Sequence, residues 1–304
     1  MEGYFVGPAG WSYKDWEGIV YPLKKPAGFH PLPYLMHFMD IVEINSTFYR
    51  PPVLRNSISW LRKIKTSPRF FLSVKLHQLF THKRKGFSKE DIDQFKLGIE
   101  PLRAEGRLAS ILIQFPWSFA DSEKNRDYLE SLFRAFPGYP LALEVRHGSW
   151  HTRSFFELLH EHGVAFCNID QPLISNSIPP TSYATTQDFS YVRLHGRNTK
   201  NWFKEDAGRD ERYNYLYSKE ELTGWVERLK ALKKKSKNVF VITNNHYRGQ
   251  AVVNALQIKN RLTGEKFNIP ASLKKYYPEL EEIAINVTEA DLALFPDKKG
   301  KKED

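Results

Sequence analysis

Short apolar runs alternate with longer segments of helical spacing along almost the whole chain. The runs are nearly continuous in apolar residues, which is typical of parallel strands whose two faces are both covered. The pattern predicts eight strands, at Tyr4–Ala9, Ile41–Asn45, Phe70–Lys75, Leu108–Gln114, Leu141–Arg146, Val164–Ile169, Tyr191–His195 and Val239–Thr243.

The segments between the predicted strands carry helix signals. Ser88 precedes Asp91, and Ser218 precedes Glu221, by the spacing of a capping box. Alternating strands and helices form right-handed βαβ units, and eight such units close a barrel. The sequence therefore predicts an α/β fold, a TIM (β/α)8 barrel. Helical spacing of apolar residues is clearest in Leu54–Ile64, Asn125–Phe136, Phe155–His162 and Ala251–Leu262.

A single barrel domain accounts for most of the chain. Residues 1–264 contain the whole strand–helix alternation. Residues 265–304 leave it, and we expect a partly flexible carboxyl-terminal extension with one short helix near Tyr276–Ile283. Long loops that follow strands fall on the carboxyl-terminal face, where barrels of this kind carry their active sites. Three such loops are predicted, at Gly10–Pro33, Leu76–Phe87 and Gly196–Tyr217.

Polar side chains close seven of the eight predicted strands. Side chains two positions apart on a strand point the same way, so Glu43 and Asn45 form a same-facing pair, as do Glu144 and Arg146. The strand ends could be polar simply because loops begin there. Buried charged side chains at such positions, however, need oppositely charged or hydrogen-bonding partners, and a cluster supplies them. We therefore predict one polar cluster at the rim. Its other members are Lys75, Gln114, Asn168, Asp170, Arg193, His195, Asn244, Asn245 and His246.

The composition of this cluster predicts an anion-binding site, because arginine and lysine recognise carboxylate and phosphate groups. Glu43 and Glu144 are candidate catalytic residues, as general acid and base, with His195 as their partner. A plain salt bridge is the alternative for Glu144 and Arg146. The predicted substrate-binding residues are Trp11, Asn45, Lys75, Gln114, Arg146, His147, Asp170, Arg193, Asn244, Asn245 and His246.

The sequence favours no cofactor. Neighbouring arginine and lysine side chains oppose a dense cation site, and no short metal-binding spacing occurs, so no metal ligands are predicted. Walker, Gly-x-Gly-x-x-Gly and Gly-x-Ser-x-Gly motifs are absent from the sequence. A catalytic divalent metal stays open as an alternative, with ligands from Glu43, Glu144, His147, Asp170, His195 and His246.

The composition of the chain indicates which binding partners and which cellular compartment to expect. The formal net charge of +10 attracts phosphates and nucleic acid, although much of the excess lies in runs such as Lys233–Lys237. The single cysteine, Cys167, excludes an internal disulfide and lies in an apolar run typical of a buried thiol. No apolar run approaches the ~18 residues of a membrane span. The amino terminus shows no signal-peptide pattern, so we expect a cytoplasmic protein without a membrane partner.

A set of motifs runs through the predicted strand ends, at Gly10–Tyr13, Val42–Tyr49, Gln114–Pro116, Glu144–His147, Tyr191–Gly196 and Asn244–His246. With these motifs the chain resembles the YecE-like family, filed as domain of unknown function 72. The resemblance implies a TIM barrel and no agreed reaction. A suggested similarity between this family and the endonuclease-four-like barrels would imply phosphodiester chemistry. The chain lacks the dense His, Glu and Asp metal set of that group and has Lys75, Arg146 and Arg193 instead.

Three functions agree with these patterns. The first is an enzyme that acts on a small anionic, phosphate-bearing substrate, with its reaction class open and hydrolysis among the candidates. The second is a metal-dependent phosphodiester hydrolase on nucleic acid, and the third is a non-catalytic nucleic-acid-binding protein. The same-facing pairs at the rim favour the first, because a surface binder does not need them. The oligomeric state stays open.

Overall fold

A computed structural model describes residues 2–84, 86–174, 176–202 and 209–285. It contains one sheet of eight parallel strands, which confirms the predicted α/β barrel. Around the sheet the strand order is β1-β8-β7-β6-β5-β4-β3-β2. The strands are β1 (Gly3–Pro8), β2 (Ile41–Ile44), β3 (Phe71–Lys75), β4 (Leu108–Gln114), β5 (Leu141–Glu144), β6 (Ala165–Asp170), β7 (Phe189–Leu194) and β8 (Asn238–Thr243).

The barrel closes between β1 and β2, where a glycine lets the two backbones approach. The two strands are joined by the bridge between Ala9 and Glu43, and the Asp40 amide donates to the carbonyl of Val6 at 3.1 Å. Gly7 faces this junction, and a Cβ atom added there would overlap the carbonyl oxygen of Ile41. Only glycine leaves room for so close a backbone approach.

Two apolar layers hold the barrel together. Inside it, the side chains of Phe5, Ile41, Cys167, Tyr191 and Phe240 pack in one buried cluster. The outer faces of the strands pack against the helices in a second, larger cluster. Cys167 is fully buried, as predicted, and burial raises the pKa of its thiol.

The helices begin and end close to their predicted positions. Ser88 and Ser218 form the predicted capping boxes with Asp91 and Glu221, which confirms both helix starts. The helices are α1 (Pro31–Leu35), α2 (Ser46–Tyr49), α3 (Leu54–Ile64), α4 (Lys89–Ala104), α5 (Glu123–Ala135), α6 (Arg153–Glu161), α7 (Thr199–Trp202), α8 (Arg209–Arg212), α9 (Lys219–Lys233), α10 (Gln250–Thr263) and α11 (Ala271–Tyr276).

The first part of the predicted extension packs on the barrel. Gly264 ends α10 with a positive φ of 74°, and the chain then runs through α11 and a 3-10 helix at Pro278–Ile283. Leu273 and Leu280 are fully buried in the outer cluster. The rest of the predicted extension, residues 286–304, lies outside the described residues. Of the helices that the structure describes, none has the length and apolar character needed to cross a bilayer.

Candidate active site

A cavity of about 350 Å³ opens at the carboxyl-terminal ends of the strands. Three cationic side chains line it, those of Lys75, Arg146 and Arg193. Among the described residues no carboxylate side chain lines the cavity. Its other walls come from Gly10, Trp11, Ser12, Tyr13, Ile44, Asn45, Ser46, Phe48, Tyr49, Gln114, Tyr213, Asn244 and His246.

Arg193 forms the floor of the cavity and holds two buried carboxylates below it. Its Nη2 donates to Glu43 Oε1 at 2.7 Å, and its Nη1 donates to Glu144 Oε2 at 2.5 Å. Tyr191 completes the arrangement, because its hydroxyl donates to Glu43 Oε2 at 3.1 Å and contacts Ser73 Oγ at 2.7 Å. Arg193 Nε is buried and has no hydrogen-bond partner among the described residues. One donor of this guanidinium therefore stays available.

Glu144 joins a second arginine and a histidine to the same network. Arg146 Nε donates to Glu144 Oε1 at 2.9 Å, and His195 Nε2 lies 3.2 Å from that oxygen. Asn244 Nδ2 lies 2.9 Å from His195 Nδ1. Because an amide nitrogen only donates, Nδ1 accepts and the imidazole carries its proton on Nε2, toward Glu144.

Burial and neighbouring charges shift the pKa values of Glu144 and His195 in opposite directions. Burial disfavours the ionised form of Glu144. The charges of Arg193 and Arg146 and the hydrogen bond from His195 outweigh this effect and hold the pKa of Glu144 well below its ordinary value. Burial also lowers the pKa of His195 to about 3, against the attraction of Glu144. At neutral pH the network therefore contains an ionised Glu144 and a neutral His195.

Lys75 differs from the two arginines in having no acidic partner within 4.0 Å among the described residues. Its ammonium lies 4.1 Å from the ring centre of Phe48, at the half-buried end of β3. Burial and the charge of Arg193 lower the pKa of Lys75 to about 7, although Glu43 and Glu144 oppose the shift. The same surroundings affect His82, since burial and the charge of Lys75 lower its pKa to about 4.

Aromatic rings surround the mouth of the cavity. Tyr13 stacks on the ring of His246 with centroids 4.4 Å apart, and the ring of Tyr213 lies 5.0 Å from the same imidazole, measured between centroids. Trp202 lies 5.6 Å from the guanidinium of Arg146 and 6.2 Å from the ring of His195. Trp16 and Tyr21, from the same loop as Tyr13, are instead buried in the outer core.

The structure brings most of the predicted site residues together, at two depths. Glu43, Glu144 and His195 are fully buried beneath the cavity. Their side chains bond to three residues that line it, Arg193, Arg146 and Asn244. The predicted residues that line the cavity directly are Trp11, Asn45, Lys75, Gln114, Arg146, Arg193, Asn244 and His246.

Three predicted binding residues lie outside the lining of the cavity. Cys167 of β6 faces the barrel interior, so Asp170 faces the helices, where Arg197 and Trp225 donate to its carboxylate. Asn245 points the opposite way from its neighbour in the cavity, and its amide bonds to Asn254. His147 caps the 3-10 helix that follows β5, through Ser149.

Three residues around the site were not among the predicted site residues. Tyr191 begins the predicted strand Tyr191–His195, and it stands two positions before Arg193 on the same face of β7. This spacing was the signal that could have identified it. Trp202 and Tyr213 belong to the long loop after β7, and no spacing in the sequence places them beside His195.

The two carboxylates beneath the cavity are arranged around Arg193. Among the residues that the structure describes, no three His, Cys, Asp or Glu side chains converge as metal ligands. Glu43 and Glu144 come close together, but Arg193 occupies the space between them and bonds to both.

Comparisons with known proteins show which family the chain belongs to. The family model described as "Protein of unknown function DUF72" matches residues 5–278. The UPF0759 protein YunF of Bacillus subtilis (strain 168) is 33% identical over 267 residues, which cover 84% of this chain and 93% of YunF.

Two solved structures share the fold. A DUF72 family protein of Thermotoga maritima has a TM-score of 0.75 and 41% identity, with 85% of this chain and 98% of that chain covered. A DUF72 family protein of Enterococcus faecalis has a TM-score of 0.76 and 25% identity, with 86% and 95% covered.

Proposed function

The chain belongs to the DUF72 family of proteins of unknown function, and we propose that it is an enzyme acting on an anionic, phosphate-bearing small molecule. One observation carries the proposal. Lys75, Arg146 and Arg193 line a single cavity at the active-site face of a barrel, and among the described residues no carboxylate lines it. A cavity of this composition favours a ligand with negative charge.

The depth of each residue suggests its role in this proposal. Arg146 and Arg193 lie where they can donate to the anionic group of a ligand, and the unpartnered Arg193 Nε is one available donor. Glu43 and Glu144 act as positioning residues, because each fixes an arginine and neither lines the cavity. The neutral His195 orients Glu144 and Asn244 in the same way.

Sulfate is expected to bind the wild-type protein, and Arg146→Gln is expected to weaken its binding ~10-fold, the cost of one charge-assisted hydrogen bond. The affinity should also fall as the pH rises through 7, because Lys75, with its pKa lowered to about 7, loses its charge there. Sulfate keeps its charge over this range, so only the protein titrates. Isothermal titration calorimetry between pH 6 and pH 8.5 measures both effects.

The matched control for this titration is Arg153→Gln on α6, whose guanidinium bonds to Glu157 on the surface away from the cavity. This variant should bind sulfate like the wild type. Lys75→Met should bind more weakly at pH 6 and lose the pH dependence. Equal affinity in Arg146→Gln, Arg153→Gln and the wild type would contradict an anion site in the cavity.

Turnover needs a separate measurement. ³¹P nuclear magnetic resonance of the protein with pools of sugar phosphates, phosphate monoesters and dinucleotides reports any conversion. We expect loss of one substrate signal with the wild type and with Arg153→Gln, and at least ~10-fold slower loss with Arg146→Gln. Conversion of dinucleotides alone would favour the nucleic-acid hydrolase hypothesis over a small-molecule substrate.

A further inference from the structure

Lys75 stands apart within the cavity, because its two cationic neighbours are neutralised and it is not. Arg193 bonds to Glu43 and Glu144, and Arg146 bonds to Glu144. Among the described residues no Asp or Glu oxygen lies within 4.0 Å of the Lys75 ammonium, which contacts the ring face of Phe48 instead. A lysine that serves only as a structural charge would be expected to have an acidic partner.

Burial and the lack of a paired carboxylate among the described residues favour the neutral amine of Lys75. Two arginines line the same cavity, and both carboxylates below it are already bonded to them. The lowered pKa of Lys75, about 7, agrees with this geometry. An amine that is largely neutral near pH 7 is a competent nucleophile, whereas an ordinary lysine is almost entirely protonated.

We propose that Lys75 is the catalytic nucleophile of this site and forms an imine with an aldehyde or ketone whose anionic group is held by Arg146 and Arg193. The inference rests on the proposed function and names its substrate class, a carbonyl compound that carries phosphate. Lys75 lies at the carboxyl-terminal end of β3 and reaches into the cavity from the barrel interior.

The proposed step balances without a further reactant. The ammonium of Lys75 first releases one proton to water, and the amine nitrogen then adds to the carbonyl carbon while the π electrons move to the oxygen. One proton moves from the nitrogen to that oxygen, which gives a carbinolamine. The resulting carbinolamine takes one proton back as its hydroxyl leaves as water. The net change converts an ammonium and a carbonyl into a protonated imine and one water molecule, and hydrolysis reverses it.

The cavity also offers a donor for the carbonyl oxygen. Asn45 lines the cavity beside β3, and its side chain makes no capping bond to α2, which follows it. Gln114 uses its amide nitrogen on the carbonyl of Phe115, which leaves its side-chain oxygen to accept. Asn45 therefore binds the developing hydroxyl as the positioning residue of this step.

Reductive trapping tests the proposal in the wild-type protein. Glyceraldehyde 3-phosphate and sodium cyanoborohydride would convert an imine at lysine into a stable secondary amine, and peptide mass spectrometry would identify the lysine. Lys259 is the internal control, since it is also half-buried and faces an aromatic ring, but its ammonium bonds to Asp40 at 2.9 Å. At pH 7 we expect Lys75 to be labelled on the order of 100-fold faster than Lys259.

Two further arms separate this inference from the proposed function. Neutral glyceraldehyde should label Lys75 ~10-fold more slowly than its phosphate, and Arg146→Gln should remove that preference. Equal labelling of Lys75 by both aldehydes would support its role as nucleophile but would contradict an anionic substrate. If sulfate binds but Lys75 is labelled no faster than Lys259, the anion site is supported and the role of Lys75 as nucleophile is contradicted. Because both lysines are compared within one folded protein, neither result depends on the stability of a variant.

Discussion

Arg193→Met is expected to lower the free energy of unfolding by about 3–5 kcal/mol at pH 7, the effect of removing one partner from a buried ion pair. Arg193 is 2% exposed and bonds to Glu43 and Glu144, both fully buried. Methionine fills a similar volume, so packing is largely retained while two carboxylates lose their shared partner. Chemical denaturation in urea followed by circular dichroism measures the loss.

The pH dependence of this loss has a defined sign. In the wild type the folded-state pKa of Glu144 is lowered, so its ionic contribution to stability is present above the unfolded pKa and is lost as pH falls through the folded pKa. Without Arg193, burial raises the pKa of this carboxyl relative to the wild type. The difference between variant and wild type should therefore be largest at neutral pH and smaller near pH 4.

Two variants control for this interpretation. Arg153→Met removes an exposed arginine from α6 and should leave the unfolding free energy unchanged. The triple variant Arg193→Met, Glu43→Gln, Glu144→Gln removes the charges together and should recover part of the stability that Arg193→Met loses. A loss in Arg193→Met that is independent of pH and is not reduced in the triple variant would show that packing, and not charge, makes this residue necessary.

Gly7→Ala is expected to destabilise the barrel by ~3 kcal/mol, at the upper end of the usual cost of overpacking. The added methyl group would overlap the backbone carbonyl of Ile41, and a backbone atom held between β1 and β2 has little freedom to move away. Because this junction closes the barrel, the strain also reaches Glu43, whose backbone carbonyl accepts from Gly10 at 2.8 Å. Urea denaturation and sulfate titration of the same sample measure both consequences.

The same strand provides the control for Gly7→Ala. A Cβ added at Gly3 would contact only the Arg69 guanidinium, at 3.7 Å, so Gly3→Ala should be neutral or slightly stabilising. The two variants share residue type, strand and chemistry and differ only in what the new methyl group meets. Similar stabilities for Gly3→Ala and Gly7→Ala would contradict the close approach of β1 and β2.

Much of the fold was predictable because parallel strands and helices leave different patterns. β4 begins and ends at the predicted residues, Leu108 and Gln114, since a strand covered on both faces is one unbroken apolar run. The predicted strand Leu141–Arg146 was two residues too long. Val145 and Arg146 continue its pattern of apolar and polar residues beyond Glu144, where the backbone hydrogen bonds of the strand end. The types of side chain alone do not show where those hydrogen bonds stop.

The site was predictable as a rim of strand ends, but the orientation of some side chains was not. In β6 both faces are buried, so its sequence does not alternate between polar and apolar residues. Nothing in the sequence therefore shows whether the side chain of Asp170 points into the barrel or toward the helices. For Asn244 and Asn245 the information was present, because neighbours along a strand point to opposite faces and only one of them can line the cavity. The placement of Trp202 depends on a long loop, whose path has no local pattern.

The pairing of the first strand with the last has a consequence for how this protein is made. Gly3 pairs with Asn238, and Pro8 pairs with Thr243. Contacts between residues so far apart along the chain form late in folding, because the intervening chain must first be ordered. During synthesis the ring of strands stays open until the segment ending at Thr243 has left the ribosome, so a truncated polypeptide cannot assemble the binding cavity.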